Sequence, residues 1–194
     1  MTTRKTENPF AGLESGVTGA LKDAGRGAKA VVESVAGVLA GALRDSTGAQ
    51  AALFDEARTL ADSAVRGAAK VGADLGTVAR GFLLGALRGS GLDGEPALQG
   101  AAQAAGAFMT SALAAGSGAA SAAGSAVGLV EGAMVWAGEV GQDAARAAAA
   151  VGQAAVDAAY EADVKIGREV RDALKVEIAG VAIILKEPAK ASKK

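Results

Sequence analysis

Gly81-Phe82-Leu83-Leu84-Gly85-Ala86-Leu87-Arg88-Gly89-Ser90 carries the pattern that sets the fold class. The same phrase stands 44 residues earlier as Gly37-Val38-Leu39-Ala40-Gly41-Ala42-Leu43-Arg44-Asp45-Ser46. A looser copy is Gly128-Leu129-Val130-Glu131-Gly132-Ala133-Met134, preceded by Gly124. Glycines four apart lie on one face of a helix and strip it of side chains. Such a face lets another backbone come close, the small-residue contact best known from membrane helices. Each helical glycine costs roughly 1 kcal/mol relative to alanine. A chain that keeps them must regain that energy through close contact.

Working outward, the helical pattern is clearest over residues 49–89. Leu53, Ala57, Leu60, Ala64, Ala68, Val71, Leu75, Val78 and Phe82 follow one another at steps of 3 or 4. Leu60, Val71 and Phe82 are eleven apart, as are Arg66, Thr77 and Arg88. Residues 139–176 repeat the habit: Arg146, Asp157 and Arg168 form one line and Val140, Val151, Ala162 and Ala173 another. Eleven residues in three turns is a 3.67-residue period, which favours straight or slightly right-handed helix pairing. Four such units separate the two close copies of the glycine phrase, as in a duplicated helical arm.

Composition narrows the chemistry. Among 194 residues there are 28 Gly, 3 Pro, 1 Trp and 1 Tyr, and alanine supplies most of the apolar content. Thin side chains give a core only if backbones approach closely. There is no Cys and no His, so thiol chemistry, disulfides and the commonest general base are excluded. The net charge of −1, with both signs interleaved, lacks the basic stripe of a nucleic-acid protein. Met1–Pro9 has two basic residues and no apolar run after them, so it does not read as a secretory signal.

Three motifs invite a chemical reading. Gly89-x-Gly91-x-x-Gly94 has dinucleotide-fingerprint spacing, but helix precedes it and no acid lies between Glu95 and Glu131; it reads as a helix-terminating loop. The paired acids, such as Asp55-Glu56 and Glu161 with Asp163, sit among Lys and Arg on regular polar lines. They read as solvated helix faces and not as catalytic or metal-binding carboxylates. Pro96–Val130 is 35 residues without a charge. About 20 apolar residues span a bilayer, so the run is long enough, but Gly, Ala and Ser dominate it. It reads first as a buried Ala-rich segment, with Ala115-Gly116-Ser117-Gly118 as its turn, and Trp136 reads as a core residue.

The eleven-residue period with narrow charged lines resembles the amphipathic coat proteins: apolipoproteins, synucleins and the phasins of bacterial polyester granules. The resemblance covers roughly residues 15–89 and 139–176. It transfers no functional residue. It implies that a face such as Leu53, Leu60, Val71, Leu75, Val78 and Phe82 can lie on an apolar surface.

The expected fold is all-α: three or four long Ala/Gly-rich helices with eleven-residue periodicity, in an antiparallel bundle or an extended helical assembly. The arms run over about 10–45, 49–89, 97–137 and 139–186, the last ending in Ile178–Leu185 as a helix end. Residues 1–9 form a mobile tail and 187–194 a basic one. The expected function is non-enzymatic and structural, with no catalytic, cofactor or metal site. The protein self-assembles as an oligomer, filament or shell, or coats a membrane or storage granule. The contact points are Gly37, Gly41, Gly81, Gly85, Gly89, Gly124, Gly128 and Gly132. The expected partner is another copy, with a lipid or granule surface next, and neither nucleic acid nor a small-molecule substrate. The expected place is the cytoplasm, peripheral on a membrane or granule. Two alternatives stand beside this: a membrane-inserted or pore-forming hairpin centred on residues 97–137, and a stress-protective protein ordered on a surface.

Overall fold

The computed structural model describes residues 12–23, 28–44 and 56–186. The chain is all-α, with eight helices among the described residues. They are α1 (Leu13–Asp23), α2 (Ala28–Arg44), α3 (Ala57–Val71), α4 (Leu75–Ser90), α5 (Gly94–Ala114), α6 (Ala119–Val140), α7 (Ala144–Ala162) and α8 (Val164–Ala173). Each expected long arm thus holds two shorter helices. The tails at 1–9 and 187–194, the turn at Asp45–Gly48 and Leu53 lie outside the described residues.

The breaks have a local cause. Gly72-Ala73-Asp74, Gly91-Leu92-Asp93 and Gly141-Gln142-Asp143 are one recurring turn. The glycine takes a left-handed conformation and ends a helix, with φ of 64°, 63° and 71° in turn. The aspartate two residues on caps the next helix. Asp74 accepts the Thr77 N–H at 2.8 Å, Asp93 the Gly94 N–H at 2.7 Å, and Asp143 the Ala145 and Arg146 N–H groups. The fingerprint-like Gly89-x-Gly91-x-x-Gly94 therefore spans the end of α4, its C-cap and the start of α5. Asp163 alone makes the α7–α8 joint, accepting from the Lys165 and Ile166 N–H groups. The turn at residues 115–118 separates α5 from α6.

The helices alternate between two layers. α1, α3, α5 and α7 pack side by side in that order, and α2, α4, α6 and α8 do the same. Register fixes direction within the even layer. Gly81 meets Val32 and Gly85 meets Ala36; Gly128 meets Gly76 and Gly132 meets Arg80. The numbers rise together, so α2, α4 and α6 run parallel. These three spatial neighbours are therefore parallel, where an antiparallel bundle was expected. The reason is that each chain segment crosses to the other layer before returning, as in stacked helical repeats.

Large side chains fill the space between layers. Phe82 of α4 and Phe108 of α5 meet with ring centroids 5.0 Å apart. Leu39, Leu60, Leu83, Leu84, Leu87, Met109, Leu129 and Trp136 are buried with them. The uncharged run becomes α5 and most of α6. α5 is flanked by α3 and α7, and α6 by α4, α7 and α8. Helices covered on so many sides have little face left for charge. α6 is long and apolar enough to cross a membrane, and half of its most apolar stretch is buried inside the protein.

Beyond α8 the chain is extended, not helical as expected. Ile178 and Val181 exchange backbone hydrogen bonds of 3.0 and 2.9 Å across Ala179-Gly180. Both central residues have positive φ, 49° and 80°, as in a type I′ turn. Positive φ is the geometry that a run of α-helix cannot hold. The segment then lies on α7, where Gly152 makes room for Ile183 and Leu185, and Gln153 accepts the Lys186 N–H at 2.7 Å.

Two predictions follow from glycine geometry. A Cβ at Gly85 would lie 2.6 Å from the Ala36 backbone, whereas at Gly138 of α6 it would meet nothing within 4 Å. Gly85→Ala should lower stability by about 1–3 kcal/mol through overpacking. Gly138→Ala should raise it by about 0.4–1 kcal/mol. Urea unfolding of both variants measures the contrast, and equal shifts would refute the seam. At Ala179, an alanine in left-handed backbone, Ala179→Asn creates the Asn-Gly pair that this turn favours. Hydrogen exchange at the Val181 amide should slow several-fold.

Candidate helix-packing and assembly faces

The even layer is built on backbone-to-backbone contact. A Cβ at Gly81 would lie 2.8 Å from the Val32 carbonyl oxygen, and one at Gly132 2.6 Å from the Arg80 carbonyl oxygen. A Cβ at Gly76 would stand 2.9 Å from the Gly124 oxygen, and at Gly128 it would overlap the Gly76 oxygen. Any larger residue pushes the helices apart. Gly81 and Gly85 therefore belong to the α2/α4 seam, and Gly124, Gly128 and Gly132 to the α4/α6 seam. Gly89 is buried near the end of α4. Gly81, Gly85, Gly124, Gly128 and Gly132 thus meet sister helices of the same chain. Gly37 and Gly41 differ: a Cβ on either meets nothing within 4 Å.

The expected apolar face is divided. Leu60 is on α3 and Val78 and Phe82 on α4, all fully buried. Val71 and Leu75 are half-buried on either side of the Gly72–Asp74 turn. They do not form one stripe on one helix, because the turn redirects the chain between layers. The eleven-residue lines break at the same turns. Arg66 pairs with Asp62 at 3.7 Å on α3, Thr77 serves the Asp74 cap, and Arg88 reaches two other helices. Val151 is buried, while Val140 and Ala162 face solvent.

Ion pairs tie the seams along their outer edge. The Arg88 guanidinium donates to Glu33 of α2 at 3.0 Å and, on its other side, to both carboxylate oxygens of Glu139 on α6. One cation thus spans three helices. Arg80 pairs with Glu131 at 3.2 Å. In the odd layer Arg146 of α7 pairs with Glu95 of α5, Lys70 of α3 with Glu14 of α1, and the Ser111 hydroxyl donates to Asp62. The Arg88 hydrogen bonds hold the Glu139 carboxyl below its usual range, against a smaller opposing effect of burial. They raise Arg88 further above its usual value. At Asp74 burial pushes the carboxyl up, but hydrogen bonds from the Thr77 hydroxyl, the Thr77 N–H and the Gly76 N–H together bring it down.

Grooves run between helices within each layer. One, of about 610 Å³, has Gly76, Thr77, Arg80 and Leu84 of α4 as its floor, with walls from α2 and α6. The other, of about 490 Å³, lies between α5 and α7 beside Ile184 and Lys186. In the first, Asp74, Glu33 and Glu131 are each engaged by Thr77, Arg88 and Arg80. Among the described residues no group of three or more acids is placed to hold a metal ion. No family model, no curated protein and no solved structure matches this chain.

Gly89–Gly94 ends a helix, as its sequence predicts, whereas the Gly72 and Gly141 turns and the Arg88 clasp lie outside the sequence expectations. The turns were legible as a threefold recurrence with capping chemistry. The clasp was not, because its partners lie 55 residues before and 51 residues after Arg88.

The depressed carboxyl gives a pH prediction. A group with lowered folded pKa adds stability that is present above its unfolded value and lost as pH falls through the folded one. The Glu139 contribution should thus be full at neutral pH and fade below about pH 4.5. Glu139→Gln should destabilise the protein at pH 7 by under about 1 kcal/mol, since the pair is partly exposed. It should also flatten the loss between pH 5 and 3. Urea midpoints across that range test this, and a wild-type slope in the variant would exclude Glu139.

Proposed function

We propose that the protein is a non-enzymatic structural protein that works by presenting a stacked-helix scaffold and self-assembling through a glycine-spaced helix face. The observation that carries this reading is the fate of the glycines. Two of the three glycine phrases are consumed within the chain, and the phrase on α2 keeps an open face. A chain that accepts glycine in helices regains the cost by close contact, and α2 has not yet regained it. The paired state of the acids fits the same reading, since their charge is spent on joining helices. Cytoplasmic placement, with assembly as an oligomer, filament or shell, goes with it. In this fold Leu60, Val78 and Phe82 of the face that a coat on lipid or a granule would use are buried, and Val71 and Leu75 are half-buried. Contact with a second copy therefore ranks above coating.

Sedimentation of the full chain between about 1 and 100 μM tests the proposal. A mass that rises above 18.8 kDa with concentration is expected. A constant monomer mass would remove self-assembly. A second reading, the membrane-inserted hairpin, draws on α6, which has the length and apolarity of a span. Carbonate extraction of membranes from expressing cells separates the two: an assembled scaffold washes off and an inserted hairpin stays. Circular dichroism with and without lipid vesicles addresses the stress-protective alternative, which requires helix to appear only with the surface.

A further inference from the structure

Each helix of the even layer has two edges. The forward edge is Val32 and Ala36 on α2, and Gly76 and Arg80 on α4. The rear edge is Gly81 and Gly85 on α4, and Gly128 and Gly132 on α6. A forward edge meets the next helix's rear edge, and this contact occurs twice. The 44-residue repeat maps Val32 and Ala36 onto Gly76 and Arg80, and maps Gly37 and Gly41 onto Gly81 and Gly85. α2 therefore carries the same rear edge as α4. On α4 a Cβ at either glycine would meet backbone at 2.6–2.8 Å; on α2 a Cβ at Gly37 or Gly41 meets nothing within 4 Å. Ala30 and Gly37 are exposed there, and Ser34 and Gly41 half-buried.

Charge repeats the asymmetry. Arg88 reaches back across its seam to Glu33. Its counterpart Arg44, 44 residues earlier, is exposed. Among the described residues, the bond seen for it goes to its own helix, from Nε to the Ala40 carbonyl at 3.1 Å. The opposite end of the layer is finished differently. α8 turns Lys165, Arg168, Glu169 and Asp172 to solvent, the polar outer face of a capping repeat. Head-to-tail stacking would press those charges onto bare glycine backbone. The open edge of α2 is matched instead by itself.

We propose that α2 of one chain packs antiparallel against α2 of a second copy, forming a closed two-fold dimer through the Gly37/Gly41 edge. This rests on the self-assembly reading above and names its partner and geometry. The interface continues the two seams already in the chain. With the two-fold axis between Gly37 and Gly41, each glycine faces the other one of the partner. Arg44 then comes opposite Ser34, one residue from Glu33 of the partner subunit. Symmetry makes that contact twice. Glu33 is about half exposed, so its carboxylate can accept from Arg88 within the chain and from Arg44 across the dimer. Close backbone approach supplies the packing, and the two Arg–Glu contacts supply orientation.

The test uses the full chain in sedimentation equilibrium, wild type against Gly41→Leu and Arg44→Glu. In the single chain the Gly41 side-chain direction is open, so Gly41→Leu leaves the fold standing. Its urea midpoint should be equal to or above wild type, since leucine is the better helix former. The wild type should be a dimer in the micromolar range. Gly41→Leu should raise the dissociation constant at least tenfold. Arg44→Glu should weaken the dimer several-fold at low salt and less at high salt. Wild-type association that Gly41→Leu leaves unchanged would overturn this interface while self-assembly stands. A monomer at every concentration would overturn both. An assembly larger than a dimer that Gly41→Leu dissolves would overturn the closed two-fold geometry.

Discussion

Backbone meets backbone along the seams of the even layer, and the rest of the structure is arranged around that contact. At Gly81, Gly85, Gly128 and Gly132 the neighbouring carbonyls and α-carbons occupy the place of a side chain. Contacts this close give dispersion and Cα–H···O interactions along the helix. They also fix register, because a shift of one residue would bring a Val or Leu into the gap. With the seams so thin, the bulky residues are free to fill the space between layers, where Phe82 meets Phe108.

The polar residues do two separate tasks. Aspartates at Asp74, Asp93, Asp143 and Asp163 cap helices and set where the chain turns. Arginines and glutamates run along the outer edges and tie helices that are neighbours in space but distant in sequence. Arg88 is the extreme case, holding α2 and α6 from α4. Partly exposed pairs of this kind add little energy individually. Their effect is geometric, because they reinforce the register that the glycine seams set.

A stack of repeated units has ends, and the two ends here differ. The α8 end is charged and the α2 end is bare glycine. That difference is a property of the fold and not of any single helix. It also explains why all three glycine phrases looked alike in sequence and yet have different fates. Gly81/Gly85 and Gly128/Gly132 have a preceding helix to rest on; Gly37/Gly41 have none among the described residues.

The all-α class was legible from the 3-and-4 spacing of apolar residues such as Leu60, Ala64, Ala68 and Val71, and the need for close contact from the glycine spacing. These are short-range properties: periodicity and helix propensity are decided within a few turns. Three of the helix breaks were also written locally, in the Gly-x-Asp turns, but the continuing apolar period across Val71 and Leu75 hid the first of them. The turn preserves the burial phase while sending the chain to the other layer. Local sequence sufficed to make these segments helices and to strip one face of several of them with glycine. Which glycine meets which carbonyl, that neighbours run parallel, and that Arg88 joins Glu33 to Glu139 were decided by the tertiary structure alone. Those contacts join residues about 50 positions apart, and only the stacking of whole helices brings them within reach.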